Sequence, residues 1–151
     1  MTHTRFTPLI DQLPATVPFV GPETQERGRA RAFAARLGAN ENGFGPSPRA
    51  IQAMQDAVTE VWKYADPTSY DLRHALATHH AIPTDSIVVG EGIDGLLGYL
   101  VRLFVQMGDA VVTSDGAYPT FNYHVQGFGG TLHKVPYRND AEDLPALLDR
   151  A

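Results

Sequence analysis

The chain has 151 residues, a formal net charge of -5 and no cysteine. That length supplies about one domain, and 43% apolar residues are enough for a core and too many for wholesale disorder. An acidic chain lacks the positive field that holds nucleic acid, and without thiols it has no disulfides, thiolate metal sites or cysteine nucleophile.

The absence of cysteine fits a cytoplasmic protein. The opening MTHTRFTPLIDQLP lacks the apolar centre and cleavage site of a signal peptide. No apolar run approaches the roughly 18 residues of a membrane helix. Pro8, Pro14, Pro18 and Pro22 are spaced almost evenly, which predicts an extended N-terminal arm. Four arginines in RGRARAFAAR (27–36) read as a solvated helix or arm.

The stretch ANENGFGPSP (39–48) is a loop rich in Asn, Gly and Pro. Ser47 then reads as an N-cap with Pro48 at the first helical position. Ile51, Met54, Val58, Val61 and Trp62 follow at helical spacing, predicting a helix that ends near Tyr64. A second helix is expected over Tyr70 to His80, with Leu72, Ala75 and Leu76 facing inward. Beyond it the pattern alternates. SIVVG (86–90), AVVTS (110–114) and TLHKVPY (131–137) read as short strands, with helices over 92–104 and from Pro119 to about Gln126. Such alternation predicts an α/β domain with a parallel sheet and right-handed crossovers. DLPALLDRA begins one more helix, and the sequence has the look of the front part of a longer protein.

The stretch VVGEGIDGLLGYLVRLF (88–104) holds Gly90, Gly92 and Gly95 as GxGxxG between an apolar run and a helical stripe. The amides of Gly92, Ile93, Asp94 and Gly95 open a helix and face its positive end, which suits an anion. A tight strand-to-helix turn with Asp94 as a plain N-cap explains the same residues. If the anion is a dinucleotide, Asp115, 20 residues after Gly95, stands where a ribose-binding carboxylate would. That reading makes the protein a nicotinamide-dependent oxidoreductase. Against it, the loop opens some 85 residues into the chain, and Asp94 sets a carboxylate beside the anion.

Four stretches in order, LGANENGFGPSPRAIQAM, YADPTSYDLRHALA, IVVGEGIDGLL and DAVVTSDGAYPTFNYH, carry a resemblance. The chain resembles the N-terminal part of the histidinol-phosphate aminotransferase family, pyridoxal-phosphate enzymes of the aspartate aminotransferase fold, over about residues 37 to 150. The resemblance implies the N-terminal portion of a fold-type I pyridoxal-phosphate transferase. It divides as an arm (1–36), small-domain and dimer-contact helices (37–85) and the start of a large doubly wound cofactor domain (86–151). It implies amino transfer between an amino donor, such as L-histidinol phosphate or an aromatic amino acid, and a 2-oxo acid such as 2-oxoglutarate. A decarboxylase or lyase on the same fold stays open.

The family's roles fall on matching residues. Gly92, Ile93 and Asp94 match the turn that holds the cofactor phosphate. Tyr118 matches the aromatic that stacks on the pyridine ring. Tyr64 matches a tyrosine that reaches the phosphate of the neighbouring subunit, which implies a homodimer, and Asn42 lies in a loop near the substrate. Four residues depart from the pattern. Ile93 stands where a small residue is usual, Gly95 where an acid is, and Ala65 and Gly116 where proline is. The only lysines, Lys63 and Lys134, do not match the family's Schiff-base lysine, so no catalytic residue is expected within 1–151. The chain alone is then inactive, and a non-catalytic dimerising fragment is the remaining alternative. None of the six histidines is spaced i, i+4 to another, so no metal site is expected.

Overall fold

The computed structural model describes residues 5–15, 19–38 and 40–151. Pro18 of the expected arm and Ala39 at the start of the Asn-rich loop lie outside the described residues. Two compact units divide the chain between Val89 and Gly90, residues up to 20 belonging with the second.

The unit of residues 21–89 is helical. Helix α2 (Pro22–Arg29) follows α1 (Pro8–Gln12), which belongs to the other unit. Helix α1 lies inside the proline-spaced region expected to be extended, and α2 begins at its last proline, Pro22. Each begins with proline at its first turn, where the missing N–H has no intrahelical partner to lose. The arginine run is only partly helical, because α2 ends at Arg29 and Ala30 takes a left-handed conformation (φ 53°). Helix α3 (Pro48–Ala57) starts as expected, Ser47 Oγ accepting from the Ala50 amide at 3.2 Å. It stops short of Tyr64, tightening into a 3-10 turn over Val58–Glu60.

Helix α4 (Tyr70–His80) matches its expected span. Its start is held from upstream. Ser69 has φ 47° and makes no side-chain cap; instead Asp66 accepts from the Tyr70 amide (2.9 Å), the Thr68 amide (2.9 Å) and the Thr68 hydroxyl (2.7 Å). These donors hold the Asp66 carboxyl below its ordinary range, the Tyr70 amide contributing most. The inward face expected on α4 is not buried, Leu72 being 49% exposed. On α3 and beyond, Ile51, Met54, Val58, Val61 and Trp62 are exposed too.

The second unit carries the sheet. Strand β1 (Ala110–Ser114) pairs in parallel with β2 (Thr131–Val135), Ala110 opposite Thr131 and Ser114 opposite Val135. The crossover is α6 (Pro119–Gly127), between α5 (Gly92–Phe104) upstream and α7 (Leu144–Arg150) downstream. Val101 of α5, Val125 of α6 and Val135 of β2 form the buried apolar centre, with Thr113, Ser114 and Thr120 buried beside it. The strand expected at 86–90 is not formed. Residues 84–86 make a 3-10 turn, Ile87 is extended, and Val88 is 71% exposed. A strand exists only by pairing, and no described strand lies beside this segment.

Candidate functional site

The second unit gathers its functional candidates where α5 and α6 begin. Gly92 leaves the extended chain with φ +71°, a region open to glycine and costly for residues with a Cβ. Its amide turns back to the Gly90 carbonyl at 2.8 Å. The next two amides, of Ile93 and Asp94, meet no acceptor among the described residues. They are the orphan donors of a helix start, aligned with its positive end.

The N-cap of α5 is Glu91, not Asp94, and its side chain makes no capping bond. Asp94 is the third residue of the helix, and its Oδ1 accepts from the Thr120 hydroxyl at 2.8 Å. That bond ties the first turn of α5 to the first turn of α6. Tyr118, the N-cap of α6, stands two residues before Thr120 and is half-exposed. The structure thus brings Gly92, Ile93, Asp94 and Tyr118 to one end of one unit. An anion on the Ile93 and Asp94 amides and a flat ring against Tyr118 are what this end offers.

Sequence reading missed the neighbouring pair of Glu91 and Tyr99. The Tyr99 hydroxyl donates to Glu91 Oε2 at 3.1 Å, and the hydrogen bond to that carboxylate raises the phenol above its ordinary range. The signal was an i, i+8 spacing that spans a helix start, which no periodic pattern picks out. Asp115 does not stand free for a ribose, since Lys134 Nζ lies 3.4 Å from its Oδ1.

Tyr64 and Asn42 belong to the unit of residues 21–89. Tyr64 is fully exposed. Asn42 spends both polar atoms on its own loop, accepting from the Phe44 amide (3.1 Å) and donating to the Gly45 carbonyl (3.3 Å). Nearby, Arg36 binds Glu41 with two nitrogens (2.6 and 3.0 Å) and Glu23 with one (2.8 Å), raising the guanidinium further and lowering the Glu23 carboxyl, whose own backbone bond contributes most. Lys63 pairs with Glu60. Among the described residues no group of His, Asp and Glu could hold a metal ion, and no helix is long and apolar enough to cross a membrane.

Comparison with known proteins adds four findings. The family Aminotransferase class I and II matches residues 35–151. A histidinol-phosphate aminotransferase of Moorella thermoacetica is 36% identical over 112 residues, covering 74% of this chain and 29% of that protein. One of Anaeromyxobacter sp. is 34% identical over 147 residues, covering 95% and 40%. The crystal structure of histidinol-phosphate aminotransferase from Sinorhizobium meliloti in complex with pyridoxal-5'-phosphate is similar with a TM-score of 0.89. It shares 56% identity, over 99% of this chain and 39% of that one. The chain therefore spans between 29% and 40% of the length of these relatives.

Proposed function

Because the chain belongs to the class I and II aminotransferases, we propose that its protein is a pyridoxal-phosphate-dependent enzyme moving an amino group from an amino donor to a 2-oxo acid. The donor is L-histidinol phosphate and the acceptor 2-oxoglutarate, which sets the reaction in histidine biosynthesis in the cytoplasm. The observation that carries the reading is the family match together with two amides, Ile93 and Asp94, left open behind a glycine at φ +71°. This donor set fits a monophosphate.

Pyridoxal phosphate, when bound, supplies a cationic ring that takes up the electrons released at the donor's α-carbon. The residues of this chain bind and orient it. The backbone of Gly92, Ile93 and Asp94 accommodates the phosphate at the helix end. Thr120 holds the Asp94 carboxylate to one side at 2.8 Å, so that this charge is spent on a hydroxyl. Tyr118 offers its face to the ring. Tyr64, exposed on the other unit, donates its hydroxyl to the phosphate of a neighbouring subunit, and Asn42 lies near the substrate once its loop bonds rearrange. Lys63 and Lys134 face carboxylates, Glu60 and Asp115, and neither is assigned the amine that bonds the cofactor. In this reading 1–36 is an arm, 37–85 contributes to the small domain and dimer contacts, and 86–151 begins the large domain.

The test is a titration of the natural gene product with pyridoxal phosphate and, separately, with NADH, followed by assay with L-histidinol phosphate, aromatic amino acids and 2-oxoglutarate. Micromolar binding of pyridoxal phosphate and turnover of L-histidinol phosphate support the proposal. Tight NADH binding without pyridoxal phosphate binding refutes it in favour of the oxidoreductase.

A further inference from the structure

The three glycines of the loop have different physical reasons. Gly92 makes the turn. Gly95 clears space for Glu91, and Gly90 for Leu96 and Tyr99. A Cβ on Gly95 would stand 2.7 Å from Glu91 Oε2, and one on Gly90 would stand 3.0 Å from Leu96 Cδ2 and 3.2 Å from Tyr99 Cε2. Between them the Tyr99 hydroxyl holds Glu91 Oε2 at 3.1 Å. Glu91 is the N-cap, the position from which a side-chain oxygen ordinarily bonds the second or third amide of a helix, and it makes no such bond. Its carboxylate instead lies on the flank of α5, against Gly95 and the Tyr99 hydroxyl, and bonds none of the amides that would attract it.

We infer that Tyr99 is a positioning residue for the anion turn: it anchors the Glu91 carboxylate over Gly95 and so keeps a competing negative charge off the Ile93 and Asp94 amides. The inference rests on the reading of that turn as the phosphate site. Released from Tyr99, the Glu91 carboxylate is free to swing to the orphan donors, which favour an anion for the same reasons that they favour phosphate. A phosphate ligand must then displace it, while a ligand without phosphate is indifferent. The GxGxxG spacing is thereby explained with no dinucleotide: Gly92 for the turn, Gly95 for the clasp, and Gly90 for the packing of Leu96 and Tyr99.

The experiment titrates pyridoxal phosphate and pyridoxal into the apo form of the natural gene product, following visible absorbance. Tyr99→Phe is expected to weaken pyridoxal phosphate binding by about fivefold, the scale of one hydrogen bond to a charged group partly open to water, and to leave pyridoxal binding unchanged. Gly95→Ala, which expels the carboxylate by its Cβ and does not weaken the helix, should do the same. Glu91→Gln should bind pyridoxal phosphate at least as well as the unaltered protein. Combined with Tyr99→Phe, it should restore the affinity. A loss in Tyr99→Phe that Glu91→Gln does not repair, or that strikes both ligands equally, assigns Tyr99 to packing and overturns the inference. Gly92→Ala separates the two levels. If it is selective for phosphate and Tyr99→Phe is not, the clasp alone is wrong. If neither is selective, the phosphate turn and the clasp fall together.

Discussion

The substitution Gly92→Ala isolates the backbone of the turn. An added Cβ meets no heavy atom within 4 Å, so no clash enters the result. What changes is the conformation. An L-residue at φ +71° costs about 1–2 kcal/mol. The first turn of a helix relaxes locally, so in the free protein residue 92 leaves the positive-φ region and binding must restore it. The cost then appears in the dissociation constant, which should rise about 5- to 30-fold. Pyridoxal makes no demand on the turn and serves as the internal reference. The assay is an absorbance titration of the apoprotein with each ligand. Unchanged affinity for pyridoxal phosphate, or an equal loss for both ligands, would refute the assignment of Gly92, Ile93 and Asp94 to the phosphate.

Three further outcomes are expected. Tyr64→Phe should weaken pyridoxal phosphate binding by about tenfold through loss of one hydrogen bond to an anion, with no change in thermal stability because Tyr64 is fully exposed; unaltered affinity removes the shared site. Asp66→Asn should destabilise α4 at neutral pH. The Asp66 carboxyl titrates below its ordinary value, so its contribution is present above about pH 4 and fades as pH falls through the lowered value. The gap between variant and parent, followed by circular dichroism in denaturant, should narrow as pH falls below the ordinary carboxylate range, and a gap independent of pH contradicts the capping role. Val125→Ala removes two methyl groups from a site with no exposed surface, which costs about 2–3 kcal/mol with its cavity term. A loss under about 0.5 kcal/mol on denaturant unfolding means that α6 does not pack there.

Much of the second unit was legible because its elements are periodic and locally consistent. The stripe from Ile93 to Phe104, the runs 110–114 and 131–135, and the Gly92 turn each follow from one short-range rule. The N-terminal prolines misled because proline starts a helix as readily as it stops one, and only the following turn decides which. The run 86–90 misled because β-propensity is local and pairing is not. Asp66 was hidden for another reason. The cap of α4 comes from four residues before Tyr70, through a turn that sequence showed only as a break. The apolar spacing of α3 and α4 predicted the helices correctly but not their burial, since periodicity says which face is apolar and never what lies against it.

Tyr118 follows Gly116 by two residues on the chain that joins β1 to α6. The chain between β1 and α6 passes so close to the second residue after β2 that a Cβ on Gly116 would lie 2.7 Å from Tyr137 Cε2 and 2.9 Å from its Cζ. Gly116 and the Tyr137 ring are therefore alternative tenants of one volume. A side chain at 116 fits only if the Tyr137 ring, 43% exposed, swings aside or is lost. Homologues with proline at the first position should carry a smaller residue, or a differently turned chain, at the second. The segment that leads into Tyr118 is thus constrained by a side chain 21 positions beyond Gly116, and substitutions at residue 116 should be accompanied by changes at residue 137.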